Sequence, residues 1–130
     1  MLLFGHRFID APHFYHVDDI DAISHTPANS TLLIPFDEAN LDIMAHCREN
    51  GVRFAVEAAS LREAVYAENL GAAYIVVEEP LAKRVQKTAE TYLFDAKVLC
   101  RIEEEDQIEE MAAEGIDGVL FAGGVIKISG

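Results

Sequence analysis

The sequence predicts an α/β domain with a mainly parallel sheet of five or six strands and helices on both faces. Three observations point there. Beyond about residue 30, short apolar runs alternate with amphipathic segments. The runs are continuously apolar, the pattern of strands covered on both sides. A glycine closes each of three helical segments, at Gly51, Gly71 and Gly115, as helix ends commonly require. The alternative architecture is a half barrel with helices on one face only. That form would expose an apolar sheet face and drive self-association, so a homo-oligomer is expected.

The elements follow in order. "MLLFGHRFID" opens the chain with a short apolar patch, without the basic region and long apolar stretch of a signal peptide. "HFYHV" reads as an edge strand, "DDIDAI" as one helical turn and "TPANS" as loop. "TLLIPF" (31–36) is the first regular strand. "NLDIMAHCREN" is a helix with Leu41, Met44 and Ala45 at helical spacing, widened by Ile43 and Cys47. "VRFAV" is a strand; "SLREAVYAENL" is a helix whose Ser60 and Glu63 form a capping-box pattern. "AYIVV" is a strand, and Pro80 suits the first turn of the next helix, which runs to about Leu93. "KVLCRI", the helix "EDQIEEMAAE" and the strand "GVLFA" complete the series. The chain is thus one domain, 1–130, with an irregular His-containing segment over 1–30 and βα units over 31–124.

Composition narrows the partners. With 23 acidic residues against 10 Lys and Arg, the net charge is −13. Nucleic acid needs a basic surface, so it is not an expected partner, and neither is an anionic membrane. Cationic or metal-neutralised partners suit such a surface. Cys47 and Cys100 form no CxxC motif and read as reduced, buried thiols, which places the protein in the cytoplasm. No run approaches the ~18 apolar residues of a membrane span.

Residues 52–77 align without a gap to 96–121, placing Gly71 on Gly115 and Ile75-Val76-Val77 on Val119-Leu120-Phe121. The match is of pattern more than identity. It reflects either duplication or the shared demands of two βαβ units, each needing a helix stop before its strand. The segments Ala67 to Ala72 and Ala113 to Gly118 resemble the βα units of phosphate-binding TIM-barrel enzymes of the aldolase-like and epimerase-like families. The resemblance covers about residues 31–124. A full barrel typically takes about 250 residues, so it implies an open sheet or half barrel rather than a closed one. The chain is also similar to short uncharacterised bacterial proteins, which implies no activity.

Acids follow the strands: Asp37, Glu57, Glu78 and Glu103. In a parallel sheet these positions share the edge where open α/β folds bind ligands, and such carboxylates could hold Mg²⁺ or a similar cation. They are equally the starts of helices, where acids complement the dipole and cap free N–H groups. Arg101 lies on the same edge and suits a ligand's carboxylate or phosphate. Gly123 and Gly124 offer a glycine turn, but "VIKISG" after them is β-like. The helix half of a phosphate cradle is therefore missing. A bulge or a close backbone approach in a terminal strand explains the pair equally.

Among the histidines, His13 and His16 lie three apart, with His6 and His25 nearby and His46 on a helix. They lack the regular spacing of a zinc site and read as surface or hydrogen-bonded residues. Lys97 starts its strand, at the wrong edge for a lysine nucleophile, and Lys127 follows the glycines without a defined setting. No P-loop, GxGxxG or serine elbow occurs. Two functions remain. The first is a non-catalytic, regulatory protein binding a small ligand or a partner at the strand-end edge. The second is a metal-dependent lyase or phosphosugar-type enzyme with Glu57, Glu78 and Glu103 as ligands and Arg101, Gly123 and Gly124 on the substrate's anion.

Overall fold

In the computed structural model, which describes residues 1–128, eight strands form one parallel sheet. The elements are β1 (Leu2–Phe4), β2 (Phe14–His16), α1 (Ile20–Ile23), β3 (Thr31–Pro35), α2 (Leu41–Glu49), β4 (Phe54–Glu57), α3 (Leu61–Asn69), β5 (Tyr74–Val77), α4 (Glu79–Thr91), β6 (Lys97–Arg101), α5 (Asp106–Ala113), β7 (Gly118–Leu120) and β8 (Val125–Lys127). Short 3₁₀ turns, Glu38–Asn40 and Ala122–Gly124, precede α2 and β8. The strand order is β1-β7-β6-β5-β4-β3-β2-β8. Among the described residues, no helix is long and apolar enough to cross a membrane.

Local signals read in the sequence recur in the structure. Ser60 accepts the Glu63 N–H at 3.1 Å, while the Glu63 carboxylate reaches back to the Ala59 N–H at 2.8 Å. This is a capping box whose return bond lands one residue early. Pro80 sits in the first turn of α4, where its missing N–H costs nothing. Gly51, Gly71 and Gly115 all have positive φ.

The strand count differs from the expected five or six, and the reason is economy of connection. The strands are three to five residues long. β1 reaches β2 without a helix, and β7 reaches β8 through one 3₁₀ turn. "HFYHV" was expected at an edge; its β2 instead pairs on both sides, with β3 and with β8. "LLF" of the opening patch forms β1 against β7.

Helices were expected on both faces. They cover one, as in the half-barrel alternative. Alternation along each strand divides the apolar residues into two cores. The outer core combines Leu32, Ile34, Phe54, Val56, Ile75, Val77, Val98 and Cys100 with helix residues such as Met44, Ala64, Val85 and Met111. The inner core takes one buried residue from each of seven strands: Phe4, Phe14, Leu33, Ala55, Val76, Leu99 and Leu120. Each of these is at most 8% exposed, although no helix covers them. They are buried because the sheet curls around them.

The curl is deep. Phe4 on β1 and Phe14 on β2 are six places apart in the strand order, yet their ring centroids lie 4.9 Å apart. Tyr74 on β5 meets both rings edge-on, at 5.7 and 5.3 Å. In the register, inner residues either face each other, as Leu33 and Ala55 do, or step by two, as from Ala55 opposite Tyr74 to Val76. Such a stagger is the strand tilt that barrel curvature requires. The apolar face that a half barrel would expose is therefore covered from within. Among the described residues, the seam between β1 and β8 carries no ladder.

At that seam the chain crosses itself tightly. The Phe121 N–H donates to the Phe4 carbonyl at 2.9 Å, and Gly5, with φ +83°, packs against the backbone of Gly124. A β-carbon on Gly5 would collide with the Gly124 amide nitrogen. Gly5→Ala should therefore lower stability by about 2 kcal/mol or more. The check is a urea titration, where the midpoint should fall with little change of slope. A midpoint equal to the wild type's would contradict the seam packing.

Candidate functional site

The two-residue period that fills the interior also builds the site. One further inward step toward the C-terminal end of seven strands, β2 to β8, gives residues at the mouth of the curled sheet. After Phe14 comes His16, after Leu33 Pro35, and after Ala55 Glu57. After Val76 comes Glu78, after Leu99 Arg101, after Leu120 Ala122, and after Val125 Lys127. Apolar packing thus gives way to charge at the end of the sheet where parallel α/β folds carry their sites.

Arg101 and Glu57 meet there although β5 lies between their strands. Arg101 Nη2 and Glu57 Oε2 form an ion pair at 3.2 Å. The two side chains are 35% and 30% exposed, so the pair contributes at most about 1 kcal/mol to stability. The guanidinium is otherwise underused: its Nε is enclosed and has no hydrogen-bond partner among the described residues. His16 Nδ1 is enclosed and unpartnered in the same way. The nearest acid, Asp18, stands at 3.7 Å and is largely exposed.

Two small cavities flank Arg101. One, of about 300 Å³, is lined by Pro35, Phe36, Glu57, Glu63, Val76, Glu78 and Arg101, among others. The other, of about 140 Å³, is lined by Glu78, Arg101, Ile102, Glu103, Leu120, Phe121 and Ala122. A larger hollow of about 520 Å³ lies at the opposite end, between Met1, Leu2, Phe4, Ile9, Pro12, Phe14 and Tyr74. Its walls are mostly apolar. The convergent polar groups that give a site its chemistry are at the C-terminal mouth instead.

The expected site residues divide. Glu57, Glu78 and Arg101 come together around one cavity. Glu103 borders the second cavity, but it is exposed, and its N–H donates to Gln107 Oε1 at 3.0 Å. Asp37 caps the 3₁₀ turn before α2, accepting the Ala39 N–H at 2.8 Å. Among the described residues, no three His, Cys, Asp or Glu side chains gather as a cation would need. Around this cavity Mg²⁺ would find Glu57, Glu63 and Glu78, with Glu57 already paired with Arg101 and Glu63 accepting the Ala59 N–H. Gly123 is exposed; Gly124 is buried, and its N–H donates to the Phe121 carbonyl at 2.9 Å. The pair lets the chain pass over Gly5, the close approach that glycine permits.

The histidines scatter. The His6 ring accepts the Phe8 N–H on Nδ1 at 3.1 Å, so its Nε2 carries the proton and donates to Glu105 Oε1, also at 3.1 Å. Arg7 Nη2 donates to the same oxygen at 2.9 Å. This clamp ties the β1–β2 connection to the β6–α5 loop. His13 and His25 are exposed, and His46 stands in the last turn of α2 near Asn50. Of the histidines, His16 stands at the inward step of its strand, two residues after Phe14. Lys97 lies at the far, N-terminal end of β6. Sequence reasoning missed the placement of His16 and Lys127, although counting by two from Phe14 and Val125 would have found both.

Neither cysteine is poised for chemistry. Burial pushes the Cys47 thiol up to about 11. Burial, helped by the neighbouring carboxylates Glu79, Glu78 and Glu114, pushes Cys100 up to about 12. Both thiols therefore stay protonated in the folded chain well above neutral pH, whereas unfolded cysteine ionises near pH ~8.5. The stability carried by the neutral buried thiols is full below that point and declines as pH rises through it toward 11 and 12. At pH 8 Ellman's reagent should leave the native protein unlabelled and react with both thiols once denaturant is added. Rapid labelling of the native protein would contradict this burial.

No protein-family model matches the chain, and no curated protein matches it.

Proposed function

We propose that this protein binds a small anionic ligand at the C-terminal mouth of its curled sheet, with Arg101 as the anchor. The observation that carries the reading is the state of that guanidinium. One nitrogen is ion-paired with Glu57, Nε is enclosed and without a hydrogen-bond partner among the described residues, and Arg101 lines two cavities. An unpaired buried donor costs ~1–3 kcal/mol. The partly exposed remainder of the guanidinium offers a carboxylate or phosphate oxygen a charge-assisted bond that offsets it.

The surrounding carboxylates set the terms. Glu57 is partly neutralised by Arg101, whereas Glu78 repels anions placed on its side of the mouth. The ligand's acid group is therefore restricted to the open edge of the Arg101 guanidinium, away from Glu78. The protein is a binder in this reading, with positioning groups and, among the described residues, no activated nucleophile.

The test is a titration with acetate and with inorganic phosphate, followed on the arginine Nε–H signals by NMR. Binding of the wild type at about 1 mM or tighter and a tenfold or greater weakening in Arg101→Gln are expected. Circular dichroism melting checks that the variant still folds. Arg101 signals that do not move with either anion would overturn the reading, as would equal binding by Arg101→Gln.

A further inference from the structure

The geometry points to a ligand with two acid groups: a short dicarboxylate carrying a hydroxyl or ammonium between them. This inference rests on the anion-binding reading above and names the ligand class of the same mouth. Its basis is the second cationic position on the wall facing Arg101. β2 and β6 stand on opposite sides of the curled sheet, with three strands between them in each direction. His16 and Lys127 are register partners on the adjacent strands β2 and β8. Strand alternation turns both to the inner face, since Phe14 and Val125 two residues earlier pack into the inner core, while Tyr15 and Ile128 pack into the outer one.

The mouth therefore carries Arg101 on one wall and His16 with Lys127 on the other. Among the described residues, Arg101 Nε and His16 Nδ1 are enclosed without hydrogen-bond partners, His16 Nδ1 lying 3.7 Å from Asp18 Oδ1. Between them, on β4 and β5, lie Glu57 and Glu78. On the remaining arc the inward position of β7 is Ala122, and β1 ends at Phe4. A molecule reaching from Arg101 to Lys127 places one carboxylate at each end. Its middle lies along the acidic wall, where a hydroxyl or ammonium donates to a glutamate and a third acid group would be repelled. A ligand with a single acid group satisfies one wall only.

The experiment compares acetate, succinate and malate by the same NMR titration, on the wild type and on Lys127→Gln, His16→Gln and Arg101→Gln. Lys127 is exposed, so its replacement leaves the fold intact. Succinate and malate should bind the wild type at least tenfold more tightly than acetate, with malate the tighter of the two. Lys127→Gln and His16→Gln should reduce both to the acetate level while leaving acetate itself unchanged. If acetate binds through Arg101 and the dicarboxylates bind no better, the two-ended ligand is wrong and the single-anchor reading stands. If none of the three moves Arg101, both readings fall together.

Discussion

Everything in this structure depends on the need to bury the inner face of the sheet with side chains from the sheet alone. The helices cover only the outer face. A flat parallel sheet of these strands would leave Phe4, Phe14, Leu33, Val76, Leu99 and Leu120 in water. Burying a large apolar side chain is worth roughly 1.5–3 kcal/mol, so the face curls until its own residues meet. The three-ring contact of Phe4, Phe14 and Tyr74 marks where the curl is tightest. The glycine crossing at Gly5 and Gly124 allows the two ends of the sheet to approach.

The same constraint creates the mouth. Once the sheet curls, residues two steps beyond the inner core converge on a common axis instead of lining a flat edge. Charges that are distant in the chain, from His16 to Lys127, then face one another across a small space. The overall charge of −13 describes the outside of the molecule. The inward ring is different: Arg101 and Lys127 balance Glu57 and Glu78 there. An acidic protein can in this way present a site suited to anions.

Much of the fold was legible because its cues are local. Helix stops at Gly51, Gly71 and Gly115, the Ser60–Glu63 cap and the apolar runs from Thr31 onward each act within a few residues. The curl was not legible, because strands covered on both faces read as continuous apolar runs. Nothing in "FAVE" says that Ala55 is inside the curl and Val56 beneath a helix. The three-residue strands β1, β2 and β8 are too short to show a period, which is why five or six strands were expected in place of eight. At the site, position along the strands put Glu57, Glu78 and Arg101 at one end, where they line one cavity. It could not tell an acid that caps a turn, as Asp37 does, from one that points inward. It also could not pair His16 with Lys127, which are 111 residues apart in the chain and adjacent only through the β2–β8 ladder.

The claim on which the rest hangs is that the first and second strands meet across the interior of one molecule. The most direct measurement is a nuclear Overhauser experiment on protein that is deuterated except at its phenylalanine rings, with Phe4 and Phe14 assigned by substitution. A strong cross-peak between the two rings is expected from their 4.9 Å centroid separation. It should persist undiminished when the sample is diluted into fully deuterated protein, because the contact lies within one chain. A missing cross-peak, or one that fades on such mixing, would contradict the curled sheet and with it the converging mouth.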